Sequence, residues 1–121
     1  MFTGGTMHRI LGALLGALAL LQAPLALAQA YPDRPVKIIV PFAPGGIADG
    51  SARVIANHLS ETWGKPFLVE NRPGAASIIA FTAVTKAPAD GYTLLYANTN
   101  IATNPSMHAN LPYDAERDLV P

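Results

Sequence analysis

The stretch Val36-Lys37-Ile38-Ile39-Val40-Pro41-Phe42-Ala43-Pro44-Gly45-Gly46-Ile47-Ala48-Asp49 decides the fold. Val36 to Phe42 is an apolar, β-branched run closed by Pro41 and Pro44, the pattern of a strand buried on both faces. Gly45-Gly46 supplies a turn. From Asp49 to Trp63 the residues Ala52, Ile55, Leu59 and Trp63 recur at helical spacing, with Gly64 as the stop signal. The reading is strand, glycine loop, helix.

Working towards the C-terminus, the same unit starts again. Phe67 to Glu70 reads as a second strand, Arg72-Pro73-Gly74 as its turn, and Ala75 to Ala87 as a small-residue helix ended by Pro88. Asp90-Gly91 marks another turn and Tyr92 to Ala97 a third strand. The order β-α-β-α-β with short connections predicts an α/β fold, a parallel sheet flanked by helices with all three strand-to-helix loops at one edge. Beyond Ala97 the pattern weakens. Asn98 to Asn104 is small and polar, Pro105 to His108 is compatible with a helical turn, and Leu111-Pro112-Tyr113-Asp114 reads as a turn before a last short segment.

Working towards the N-terminus, a basic end at His8-Arg9 precedes an apolar run from Ile10 to Leu21, then Pro24 and Ala26-Leu27-Ala28. A short positive region, an apolar core too short to span a bilayer comfortably and an A-x-A exit predict a signal peptide over residues 1–28, cut after Ala28 or after Ala30. The alternative is an uncleaved membrane anchor. Of the 121 residues, 50% are hydrophobic and 13% charged, and the leader would take one basic residue, Arg9, from a balance of 8 against 8. A nearly neutral mature chain without a cationic stripe argues against a nucleic-acid partner. The chain has 0 cysteines, which excludes disulfides, thiolate metal sites and a cysteine nucleophile. Apolar packing alone must stabilise residues 29–121.

Chemistry is most legible in the loop from Phe42 to Asp49. Two glycines let the backbone turn sharply, so N–H groups of the helix's first turn can face a ligand where the helix dipole favours an anion. In open α/β sheets this carboxyl-end crevice is where ligands bind. The same residues also suit an ordinary tight turn, with Asp49 as helix cap or first-turn carboxylate. The loop lacks the third glycine of G-x-G-x-x-G, and no G-x-x-x-x-G-K-[ST] occurs, so nucleotide binding has no support. Arg72, in the second loop, can meet an anion or pair with Glu70 or Asp90. Asn98-Thr99-Asn100 and Asn104 offer short hydrogen-bonding side chains on the same edge. His8, His58 and His108 stand apart, which denies a metal its ligands. Ser51, Ser60, Ser77 and Ser106 lack a nucleophile's setting, and no carboxylate pair presents an acid and base. No enzyme and no cofactor is expected.

Taken together, these segments resemble the substrate-binding proteins of the tripartite tricarboxylate transporters, the Bug family of bacterial periplasmic receptors. The resemblance lies in Tyr31-Pro32 with Arg34-Pro35, Ile38 to Gly46 with Asp49, Val69-Glu70-Asn71-Arg72-Pro73-Gly74-Ala75, Lys86-Ala87-Pro88 with Asp90-Gly91-Tyr92-Thr93-Leu94-Leu95, and Asn104-Pro105 with Leu111-Pro112-Tyr113-Asp114. It implies a two-lobed, type II periplasmic-binding-protein-like fold that closes on a small organic acid and presents it to a membrane permease, as a monomer when full length. The loops after the first and third strands would pinch one ligand carboxylate, largely through backbone groups and water. By position these are Phe42, Ala43, Gly45, Gly46, Ile47, Ala48 and Asp49, then Asn98, Thr99 and Asn100, with Gly74, Ala75, Ala76 and Ser77 opening the neighbouring helix.

Three departures qualify the resemblance. Ile47 stands where the family usually has a small polar residue, Ala76 and Ala80 stand where glycine is common, and family proteins are several times longer. Residues 29–121 are therefore expected to form an incomplete N-terminal lobe, from a truncated gene or a partial sequence, that by itself binds ligand poorly and exposes sheet edges.

Overall fold

The computed structural model describes residues 30–120; the expected signal peptide, with its expected cleavage at Ala28, lies outside them. β1 (Val36–Val40), α1 (Ile47–Trp63), β2 (Phe67–Asn71), a single 3₁₀ turn (Ala75–Ser77), α2 (Ile78–Thr85), β3 (Thr93–Leu95), α3 (Asn100–Met107) and α4 (Ala115–Asp118) follow in order. The strands form one parallel sheet in the order β2-β1-β3, with Ile38 opposite Val69 on one side and Leu94 on the other. The expected layered α/β arrangement is what forms.

β1 takes the centre because four of its five side chains are apolar and leave water on both faces. Val36, Ile38 and Val40 pack with Ala52 and Ala56 of α1 and with Phe67, whereas Ile39 packs on the opposite face with Ala80, Phe81 and Tyr113. The alternation of a strand thus divides one run between two cores, each roofed by its own helix. On the α2 side Phe81 is fully buried, and its ring meets Tyr113 edge to face at 5.6 Å.

Several boundaries and faces differ from the sequence expectation. α1 begins at Ile47, two residues before Asp49, because Gly46 is already extended and ends the turn. Its inward stripe runs through Ala52, Ala56 and Leu59, leaving Ile55 47% and Trp63 46% exposed. Small alanines let the helix axis approach the sheet closely, a role that ranking residues by hydrophobicity overlooks. Trp63 lies against the edge of Tyr31, with centroids 5.6 Å apart, outside both cores.

The expected helix from Ala75 to Ala87 is two elements. Ala75, Ala76 and Ser77 all have positive φ, at 47°, 49° and 71°, and only from Ile78 is the helix right-handed. Residue types do not announce this, because non-glycine residues ordinarily avoid the left-handed region. β3 is confined to Thr93–Leu95, shorter than Tyr92 to Ala97, although Tyr96 N–H still donates to Ile39 O at 2.9 Å. The polar segment after Ala97 and the turn at Pro105 to His108 merge into α3, with Pro105 inside it. Asn, Thr and Pro are poor helix formers, so tertiary packing overrides their propensity here. Asp114 caps α4 by accepting the Glu116 and Arg117 N–H groups.

Candidate functional site: the carboxyl edge of the sheet

Parallel strands send the loops after β1, β2 and β3 to one edge. The chain moves from β1 outward to β2, then crosses to β3 on the other side of β1, with α1 and α2 on opposite faces. The place where strand order reverses, between the ends of β1 and β3, is where open α/β sheets leave a crevice.

The first loop is built around Asp49. Gly45 turns the chain with φ 87°, which glycine adopts without strain. The Asp49 side chain is only 6% exposed. Its Oδ2 accepts Gly45 N–H at 2.9 Å and Arg53 Nε–H at 3.0 Å, and its Oδ1 accepts Asn71 Nδ2–H at 2.9 Å. Asn71 also donates to Phe42 O at 3.0 Å. The Arg53 hydrogen bond, followed by those from Gly45 and Asn71, holds the Asp49 carboxyl far below the usual carboxylate range, while burial opposes them. Asp49 is therefore a first-turn carboxylate turned inward, its charge matched by Arg53. It does not point to the crevice. Phe42, Ala43, Gly45, Gly46 and Ile47 remain exposed, Ile47 at 94%.

The second and third loops are stitched together. Asn98 Nδ2 and Asn100 Nδ2 donate to Ser77 Oγ at 2.9 and 3.2 Å, and Asn100 Nδ2 donates to Ala76 O at 3.1 Å. Asn98 Oδ1 accepts Asn100 N–H at 3.1 Å. Asn104 Nδ2, 1% exposed as a residue, adds a bond to Ala76 O at 2.9 Å. Gly74 has φ 117° and lies so close to Ile79 that a Cβ would meet its Cδ1 at 3.0 Å. Ala75, Ala76 and Thr99 are exposed, Ala48, Asn98 and Asn100 are half-buried, and Ser77 is buried. Across the sheet, Ser51 Oγ and the Tyr96 hydroxyl, 2.8 Å apart, join α1 to the residue after β3.

All fourteen candidate residues thus lie at one edge, in the loops or in the first turns of the helices that follow them, in two bonded groups. Sequence reasoning missed Asn71 and Asn104 as ties between loops, and Tyr96. A polar residue at the last position of β2 was the available signal for Asn71. Arg72 pairs with Glu70 at 2.6 Å, one of the two partners open to it, and Arg34 occupies Asp90 at 2.8 Å. With Arg53 and Arg72 engaged, an anion at this edge would meet backbone N–H groups, amides and the α1 dipole. Ser51 and Ser77 have hydroxyl and amide partners rather than a base, and no group of three metal-ligating side chains occurs among the described residues. The arrangement can bind and orient. Two concavities of about 670 and 620 Å³ lie elsewhere, between α3 and Leu111–Glu116 and along the outer side of β3, and none of the fourteen residues lines them.

The tripartite tricarboxylate transporter family receptor profile matches residues 51–121. The chain belongs to this receptor family. BugT of Bordetella pertussis is 44% identical over 107 residues, covering 87% of this chain and 32% of BugT. Among solved structures, the periplasmic binding protein BugD superposes with a TM-score of 0.66 at 41% identity, over 70% of this chain and 28% of BugD. MatC of Rhodopseudomonas palustris, solved with bound malate, gives 0.70 at 35% identity, over 75% and 31%. The chain spans about three-tenths of the length of these receptor-family relatives. Their periplasmic-binding fold agrees with the sheet described above, of which this chain supplies part of one lobe. The family is one of solute receptors and not of enzymes.

Proposed function

We propose that this chain is the opening part of a periplasmic receptor that captures a small carboxylate and hands it to the membrane permease of a tripartite transporter. Residues 1–28 act as the cleaved leader, and residues 29–121 begin the first lobe. The observation that carries this reading is the gathering of three loops at the β1–β3 reversal, where Gly45, Gly46 and Gly74 are exposed while the nearby Arg53 and Arg72 are already paired. Such an edge meets a carboxylate through backbone N–H groups and bridging water and needs no free cation. Capture proceeds by closure of a second wall over the ligand, with no bond made or broken. The malate bound to MatC supports the substrate class. The test is calorimetric titration of the periplasmic species with malate and citrate. Saturable binding with the acid recovered unchanged is the expected result, and turnover or complete indifference to carboxylates contradicts it.

A second reading applies to these 121 residues by themselves. Neither of the two concavities described above lies at the loop edge, and β3 has no partner on its outer side among the described residues, which supports reading the edge as one wall of a cleft. By itself the chain then binds no carboxylate, and micromolar affinity in a soluble monomer would refute this.

A further inference from the structure

Two of the motif residues Asn104-Pro105 and Leu111-Pro112-Tyr113-Asp114 are buried behind the loop edge. Asn104 is 1% and Tyr113 6% exposed. The Asn104 Nδ2 group lies 2.9 Å from Ala76 O and 3.1 Å from the Tyr113 hydroxyl, so both amide hydrogens have acceptors. Ala76 itself stands at φ 49° and ψ 42°, the middle of three consecutive left-handed residues, none of them glycine. Such backbone persists only where its surroundings over-determine it. The surroundings here are Asn104 from below and Asn100 from the side, both donating to one carbonyl.

We infer that Asn104 is a positioning residue for the ligand edge. Anchored on the Tyr113 hydroxyl, its amide holds the Ala76 carbonyl inward and so locks the left-handed turn that presents Ala75 and Ala76 to the crevice. The Phe81–Tyr113 pair fixes the anchor in the core beneath α2. The inference deepens the proposed function and rests on it for the statement that this turn faces ligand; the lock itself does not depend on ligand.

The experiment compares a full-length receptor carrying this sequence with its Asn104→Leu variant, which keeps the volume and removes the donor, and with Asn104→Leu combined with Ala76→Gly. Nuclear magnetic resonance reads the turn without ligand, through the strong intraresidue Hα–HN contacts of residues with positive φ at 75–77. Malate titration on the same samples reads the edge. The expected result is loss of the positive-φ signature in Asn104→Leu, with malate binding weakened about tenfold, as one lost hydrogen bond allows. Ala76→Gly then restores both, because glycine enters the left-handed region without the steric cost that the clamp offsets. A merely space-filling Asn104 would show no such rescue. An unchanged turn in Asn104→Leu overturns the lock, and a lost turn with unchanged malate affinity overturns the positioning role. Should Asn104→Leu fail to fold, Tyr113→Phe, which removes only the anchor's oxygen, is judged by the same signature. A full-length receptor that binds no malate while the turn still responds refutes the proposed carboxylate binding and leaves the lock standing.

Discussion

Asn71 Nδ2 donates to Asp49 Oδ1 across 2.9 Å, joining the last residue of β2 to the first turn of α1. Through it, and through the Asn71 bond to Phe42 O, the glycine loop is held from both ends. Asp49 is ionised in this arrangement and loses it on protonation.

The folded-state pKa of Asp49 lies below its ordinary value of 3.8. The unfolded chain therefore binds a proton first as pH falls, and stability rises with pH in that window. The Asp49 contribution is complete above about pH 4 and is lost as pH drops towards the folded value. Thermal melts between pH 6 and about pH 2 should show a steep fall for the native chain and a shallower one for Asp49→Asn, which starts lower at pH 6. Glu70 and Asp118 are depressed as well, by Arg72 and Arg117, so a residual slope remains. Equal slopes would remove Asp49 from the acid response.

Ala76→Gly should stabilise the fold. A non-glycine residue in the left-handed region costs about 1–2 kcal/mol, and glycine returns about 0.4–1 kcal/mol through the freer unfolded chain. A net gain of about 0.5–1 kcal/mol follows, readable by urea denaturation. A loss of stability would mean that the turn is relaxed with alanine.

Thr82 Oγ1 is buried without a hydrogen-bond partner among the described residues. Valine has the same shape without the stranded hydroxyl, so Thr82→Val should add about 1 kcal/mol. Chemical denaturation with unchanged m-value is the measurement. Destabilisation would show that the hydroxyl has a partner in solution.

Ile47 is 94% exposed at the start of α1. Ile47→Ser should leave stability within about 0.5 kcal/mol and place a hydroxyl donor beside the glycine loop. In a full-length receptor carrying this sequence, malate titration should then show tighter binding. A large fall in melting temperature would show instead that Ile47 is covered in solution.

The order of the elements along the chain and the gathering of the strand-to-helix loops at one edge were legible because they rest on local signals. The β-branched run Val36 to Val40, the glycines at 45 and 46 and the repeated strand-loop-helix rhythm each act within a few residues. The same signals read wrongly where a weakly apolar residue carries the packing, as Ala56 does in place of Ile55. They also failed from Asn100 to Asn104, whose residues argue for loop and fold as helix under tertiary contact.

What local pattern could not reveal is how the loops are tied. Asp49 turns inward because Asn71, 22 residues away, meets it, and Ala76 is left-handed while Asn104, 28 residues on, holds its carbonyl. A carboxylate or an alanine looks the same in sequence whether or not such a partner arrives. The elements and their order were thus decided by short-range propensity and hydrophobic spacing, whereas the direction of the Asp49 side chain and the handedness of residues 75–77 were decided only when the sheet brought distant donors within hydrogen-bonding reach.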